Sequence, residues 1–321
     1  MKYFGNDPLP AACAPYLDMA AEASAALRGA ENKEIPGVSE ELLQEDRVPV
    51  HVIRILDEEG ERLMGRRIGS YITIDLPPLH QRAGDVKRLS GVVARHLQPL
   101  LPDGPLLLVG LGNSQATPDA LGPQVAALTC ATRHLMPQFA ADGITALRSL
   151  AVLTPGVMGN TGISTPELVA AAVQELQPAG VIVVDALAAG ALERVGSSIQ
   201  LADTGLRPGA GVGSRLPELS RETLGIPVIA IGVPTVIDTL AILRETLSAY
   251  HELQQAGPPA VDEPTLRGLS ERLLGEAAGR LLMTPKDVDK LIADCAHIVA
   301  AGIARAVHPG VNKRNFYAYL Q

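Results

Sequence analysis

The run Leu106-Leu-Leu-Val109, followed by Gly110-Leu-Gly112 and a helix start at Thr117-Pro118, constrains this chain more than any other stretch. Four apolar residues are too few for a helix and suit a strand buried on both faces. Gly110 and Gly112 open backbone conformations closed to other residues. Asn113, Ser114 and Thr117 add short polar side chains that bond to turn backbone. Thr117 and Pro118 read as N-cap and first helical position, which puts Asp119 in the first turn of the next helix. A strand that turns into a helix in this way is half of a βαβ unit, and the carboxyl edge of such strands is where α/β sheets build their sites. A dinucleotide fingerprint would need a third glycine three residues after Gly112, where the chain has Gln115.

The same alternation continues along the chain. Residues 1–15 form a loose Pro/Gly-containing leader, and residues 16–28 fit a short helix. After a polar, charged stretch, residues 48–56 and 70–76 read as strands around the turn Asp57-Glu-Glu-Gly60. This predicts a β-hairpin region over 48–78, ahead of the main sheet. Residues 82–97 are amphipathic, with Val86, Leu89, Val93 and Leu97 on one face. The helix after Thr117 is expected to run to about residue 136, and a strand covers 149–153. A loop at 154–162 with three glycines leads to a capping-box helix over 164–177. Val181-Ile-Val-Val184 is β-branched throughout and predicts a strand ending in Asp185. A helix is expected over 186–195, then strands over 199–201 and 227–231 on either side of a glycine-rich loop at 203–213. A helix over 236–250 and two more over 264–283 and 285–307 complete the pattern. Strand alternating with helix predicts an α/β fold whose mostly parallel sheet is covered on both faces. The core is placed at 106–250 and the C-terminal helices at 264–308.

Composition narrows the partners. The 321 residues are 47% hydrophobic with no Trp and three Phe, so the core is aliphatic. A formal net charge of -8 argues against a nucleic-acid surface. Cys13, Cys130 and Cys295 offer neither a disulfide framework nor a zinc knuckle, as expected of a reducing compartment. With no signal-peptide pattern and no run long enough to span a bilayer, a cytoplasmic protein is expected, with no membrane partner.

Asp119 and Asp185 stand out as candidate catalytic residues. Each has an alternative as a helix-terminal carboxylate, favoured electrostatically or by capping. Two such residues at the ends of neighbouring parallel strands would instead share a proton, one acting as base and the other as acid. That arrangement activates water against a peptide bond. Two carboxylates could also hold a divalent ion. The seven His are scattered along the chain. No metal or other cofactor is assigned.

Several blocks together resemble the germination protease family of endospore-forming bacteria: Val109-Gly-Leu-Gly-Asn113 with Thr117-Pro-Asp-Ala-Leu-Gly-Pro123, Ala131-Thr-Arg-His-Leu135, Pro155-Gly-Val-Met-Gly159, Asp185-Ala-Leu-Ala-Ala189, Asp203-Thr-Gly205, Gly209-Ala-Gly-Val-Gly213, and the long block from Glu222 to Thr235. Ile55-Leu-Asp-Glu-Glu-Gly60 and Met283-Thr-Pro-Lys286 extend the match to nearly the whole chain. The resemblance implies a three-layer α/β/α fold similar to the hydrogenase-maturation proteases. It also implies an endopeptidase that degrades small acid-soluble spore proteins, with catalytic aspartates at Asp119 and Asp185. Also implied are a homotetramer in the forespore or spore core, and a zymogen that removes its own N-terminus. Leu17-Asp18-Met19-Ala20-Ala21-Glu22 follows the family's preferred cleavage pattern, save that Leu17 replaces a Thr. It predicts a propeptide over 1–18, cut between Asp18 and Met19, ahead of a protease domain over 19–321. The glycine loops containing Gly112, Asn113, Thr117, Gly159, Asp203 and Gly205 are expected to bind substrate or steady the oxyanion. Arg207 and Arg215 are candidates to pair with substrate acids. A different class of function, a non-catalytic binder of phosphate or another small ligand, could use the same glycine loops.

Overall fold

The apolar runs pair into one nine-stranded sheet in the computed structural model, which describes residues 19–28, 33–82, 84–141, 147–209, 216–253, 263–275 and 281–311. The chain begins with α1 (Ala20–Arg28), β1 (Val38–Glu45), β2 (Val48–Ile55), α2 (Glu58–Met64), β3 (Gly69–Asp75) and α3 (Val86–Leu97). It continues through β4 (Leu106–Gly110), α4 (Leu121–Leu128), α5 (Met136–Ala141), β5 (Leu150–Leu153), α6 (Met158–Thr161) and α7 (Thr165–Leu176). Then come β6 (Gly180–Ala189), β7 (Ser198–Ala202), α8 (Arg221–Leu224), β8 (Val228–Asp238) and α9 (Thr239–Leu253). The last elements are α10 (Glu263–Leu274), β9 (Leu282–Met283) and α11 (Val288–Val307).

Spatial order across the sheet is β1-β2-β3-β7-β8-β6-β4-β5, with β9 added to the end of β8. The strands β8, β6, β4 and β5 are mutually parallel. From β8 outward through β7, β3, β2 and β1 every pairing is antiparallel. Alternate side chains along each strand then supply two separate cores. Leu106, Leu108, Ile182, Val184, Ile229, Ile231, Ile199 and Ile74 face α3, α4 and α11. Leu107, Val109, Val181, Val183 and Val228 face α7, while Ile53, Ile55 and Tyr71 face α1 and α2. The result is the three-layer α/β/α arrangement. At roughly 1.5–3 kcal/mol for each fully buried aliphatic side chain, these two aliphatic layers supply the main drive to fold.

Several elements depart from the sequence expectation. The hairpin region is not ahead of the sheet but part of it, because β3 pairs with β7. Asp57 starts a helix instead of a turn, its Oδ1 accepting from the Gly60 N–H at 2.9 Å. The polar stretch before residue 48 contains β1, an edge strand whose side chains stay largely in solvent. The helix after residue 120 stops at Leu128, short of 136. There Thr132 leaves the helical path to pair with β5: its hydroxyl donates to the Arg148 carbonyl at 2.6 Å and accepts from the Leu150 N–H at 3.0 Å.

The largest departure lies in β6 and β8. The expected helix over 186–195 is absent, and β6 instead runs on to Ala189. The strand expected to end at residue 231 reaches Asp238. The two extensions satisfy each other, since Ala186, Ala188 and Ala189 pair with Val233, Val236 and Ile237 across a register shift after Leu187. Strand pairing here overrides the helical preference of Ala-Leu-Ala-Ala.

Candidate active site

β4 ends at Gly110, opposite Val184 of β6, and the Leu111 N–H still bonds to the Val184 carbonyl at 2.8 Å. The loop over 111–119 therefore leaves the sheet beside the next residue of β6, which is Asp185. Three glycines shape this junction. At Gly112 the backbone φ is +110°, and a Cβ there would lie 2.0 Å from the Asp119 carbonyl oxygen. Gly110 and Gly122 let the first turn of α4 press against strand backbone, a Cβ on Gly110 falling 2.2 Å from the Gly122 carbonyl oxygen. These glycines serve close backbone packing.

Asp119 closes the loop on itself. The Asn113 N–H donates to Asp119 Oδ2 at 2.8 Å and to the Asp119 carbonyl at 3.1 Å. The Asn113 side chain takes up the Gln115 N–H at 3.0 Å. Residues 117–119 form a 3-10 turn, and neither Thr117 nor Asp119 caps α4 with its side chain. The expected N-cap role of Thr117 is thus replaced by a turn ahead of the helix. Asp119 is half-buried, and its burial lifts the carboxyl above the usual range, with the Asn113 N–H pulling the other way. A second anchor comes from β8: the hydroxyl of fully buried Thr235 donates to the Pro118 carbonyl at 2.7 Å.

Asp185 is buried at 5% exposure, within β6 and not at its end. With no helix following it, the capping alternative falls away. Its Oδ1 accepts from the Ala186 N–H at 2.9 Å. Strand alternation places it on the face of Val181 and Val183. Its register partner is Gly232, whose own partner across β8 is Gln200 of β7.

A cleft of about 410 Å³ lies alongside the 111–119 loop, lined by Gly112, Asn113 and Ser114, by Thr154 and Gly156 after β5, and by Asn160 of α6. Gly159 precedes Asn160 in α6 and is exposed. Gly112, Asn113, Thr117 and Gly159 thus cluster at the carboxyl ends of the parallel strands. Asp203 and Gly205 do not. β7 runs antiparallel to β8, so the residues after Ala202 emerge at the opposite edge of the sheet. There Asp203 Oδ1 accepts from the Ser70 N–H at 2.8 Å, and Gly205, at φ +78°, packs against the Leu219 carbonyl. Arg207 is on that edge too, paired with Glu218 at 2.9 Å. Arg215 and the glycines at 211 and 213 lie outside the described residues, as does Asp18.

Met19 is fully buried, with the Ser198 hydroxyl donating to its sulfur at 3.4 Å. Among the described residues no three His, Cys, Asp or Glu side chains are grouped as metal ligands, and no helix is long and apolar enough to cross a membrane. Sequence reasoning missed Thr235 and Gln200. Both are polar residues inside apolar strands, and a polar residue there needs a partner.

Comparison with known proteins agrees with the blocks read from the sequence. A family model described as germination protease matches residues 16–255 and 259–320. The germination protease of Clostridium tetani is 37% identical over 317 residues, covering 94% of this chain and 98% of that protein. The germination protease of Caldanaerobacter subterraneus subsp. tengcongensis is 39% identical over 302 residues, covering 90% and 93% respectively. Among solved structures, the [NiFe] hydrogenase maturation protease HycI from Thermococcus kodakarensis KOD1 matches with a TM-score of 0.34 and 16% identity, covering 64% of this chain and 97% of that one. By the extent of the family match and the identity to full-length relatives, this chain belongs to the germination protease family.

Proposed function

We propose that this chain, a spore protease by its family, is an endopeptidase that opens the degradation of small acid-soluble spore proteins, with Asp119 and Asp185 as its catalytic pair. The observation that carries the reading is the junction of β4 and β6. The loop holding Asp119 departs next to Asp185, and neither carboxylate caps a helix. Asp119, lifted by burial, suits the proton-holding partner. Asp185 then draws a proton from water as the hydroxide attacks the scissile carbonyl, and Asp119 protonates the departing amine. Because the Asn113 N–H is already bonded to Asp119, it orients that carboxylate, which leaves Gly112 and Gly159 as oxyanion donors.

Asp119→Asn and Asp185→Asn should each lower cleavage of a small acid-soluble spore protein by roughly a thousandfold or more, the scale expected when an acid–base group is removed. Cleavage is read by mass spectrometry, and an unchanged circular dichroism melt shows that the fold is kept. Cleavage by both variants at the wild-type rate would overturn the pair. On this mechanism, a strong chelator leaves the rate unchanged.

The same reading makes the chain a zymogen that cuts itself between Asp18 and Met19, working as a homotetramer in the spore core. Incubation at mildly acidic pH followed by N-terminal sequencing should give a new start at Met19. A start still at Met1 would remove the self-processing step and leave the peptidase reading in place.

A further inference from the structure

β5 is the outermost of the parallel strands, and its carboxyl end adjoins the cleft beside the 111–119 loop. The Leu106 N–H donates to the Ser149 carbonyl at 2.9 Å. In a parallel pair this turns the main-chain groups of Ala151 and Leu153 toward β4 and those of Leu150 and Val152 outward. Leu150 is covered: its N–H bonds to the Thr132 hydroxyl at 3.0 Å, and its carbonyl accepts from the Thr132 N–H at 2.9 Å. Val152, which lines the cleft, has no such cover. Among the described residues nothing bonds to its outward N–H or carbonyl.

The rest of the cleft suits an uncharged occupant. No charged side chain lines it among the described residues. Ser114, Thr154 and Asn160 are exposed there, and α4 contributes Ala126 and Ala127, whose side chains are too short to fill the space. A peptide main chain carries N–H and carbonyl groups without net charge, and it is what an open strand edge pairs with. A single open rung is too short to hold a strand by itself, so the neutral side chains around the cleft complete the seat. Val152 pairs with Leu108, which pairs with Ile182. It thus stands two strand spacings and three residues from Asp185, roughly 14 Å, a distance that four or five residues of extended chain cover.

We propose that the cleft beside β5 seats an extended peptide by its main chain, with Val152 supplying one N–H and one carbonyl to it about four or five residues from the bond that is cut. The proposal rests on the reading that Asp119 and Asp185 cut peptides. A seat of this kind requires the bound stretch of substrate to be extended, and it holds the chain across the carboxyl ends of β4 and β6.

Hydrogen exchange and steady-state kinetics on the full chain test this together. In Asp185→Asn, saturated with a small acid-soluble spore protein, exchange at the Val152 N–H should slow at least tenfold, read by mass spectrometry with residue-level fragmentation. Unchanged exchange at that position overturns the proposal. Val152→Pro deletes the outward N–H and no bond to β4, a place where an edge strand tolerates proline. It should raise KM for the same substrate at least tenfold and leave kcat within twofold, with an unchanged melt. Ala127→Leu narrows the cleft from an exposed position on α4 and should have the same effect, and it replaces Val152→Pro if that variant melts early. A folded variant that cuts with the wild-type KM overturns the seat and leaves the peptidase reading in place. Protection of Val152 in a wild-type chain that cuts nothing would instead sink the peptidase reading and keep the seat.

Discussion

A methyl group at Gly122 would lie 2.2 Å from the Leu111 carbonyl oxygen and 2.6 Å from that of Val184, both of them backbone. Nothing there can yield except by moving α4 off the strands. Gly122→Ala should therefore destabilise the protein by about 3 kcal/mol, at the upper end of overpacking costs, as read by urea titration. His308 makes a prediction in pH. It is buried, its Nδ1 accepts from the Arg148 N–H at 3.1 Å, and burial, with Arg148 nearby, lowers its pKa from 6.5 to about 4. The folded state keeps this imidazole neutral while the unfolded chain protonates it. Its contribution is thus complete above pH 6.5 and is lost as pH falls toward 4, on the order of 3 kcal/mol in all. The urea midpoint should fall between pH 7 and pH 5, and His308→Gln should flatten that fall. At this scale the two candidate acids stand out in one dimension, Asp185 because it breaks an apolar run and Asp119 because it follows a glycine-rich turn. Their supports do not: Thr235 bonds a carbonyl 117 residues away, and no local pattern marks such a pairing.

Among the elements, the β1–β2 hairpin turns through Asp46 and Arg47, both at positive φ, 48° and 64°. Positive φ at both central positions is the I′ geometry, which favours Asn-Gly or Asp-Gly. Arg47 is exposed, so Arg47→Gly should raise stability by about 1 kcal/mol, measured as a shift in the urea midpoint. Asp46 should be kept, because its carboxylate pairs with Arg95 at 2.6 Å. Elements with strong local signals were readable, α3 from its apolar face and α7 from Glu167 bonding back to the Ser164 N–H at 3.0 Å. The extended halves of β6 and β8 were not. Ala186 to Ala189 carry no strand preference of their own, and only their mutual pairing makes them strands. This misreading also kept a capping role open for Asp185, so the local error blurred the site.

For the whole molecule, the reversal of strand direction at β8 sorts the glycine loops. Loops following the parallel strands gather at one edge with Asp119 and Asp185, while the connection after β7 leaves at the other. Sequence blocks alone cannot show this, because they give no strand direction. The two outer strands of the sheet carry a further consequence. β5 is only four residues long, and β1 is Val-Ser-Glu-Glu-Leu-Leu-Gln-Glu. One margin is too short to template a partner and the other is fringed with negative charge, two of the ways in which sheets discourage edge-to-edge growth. Among the described residues, then, neither outer strand offers the long, flat, apolar edge on which a cross-β fibre would begin.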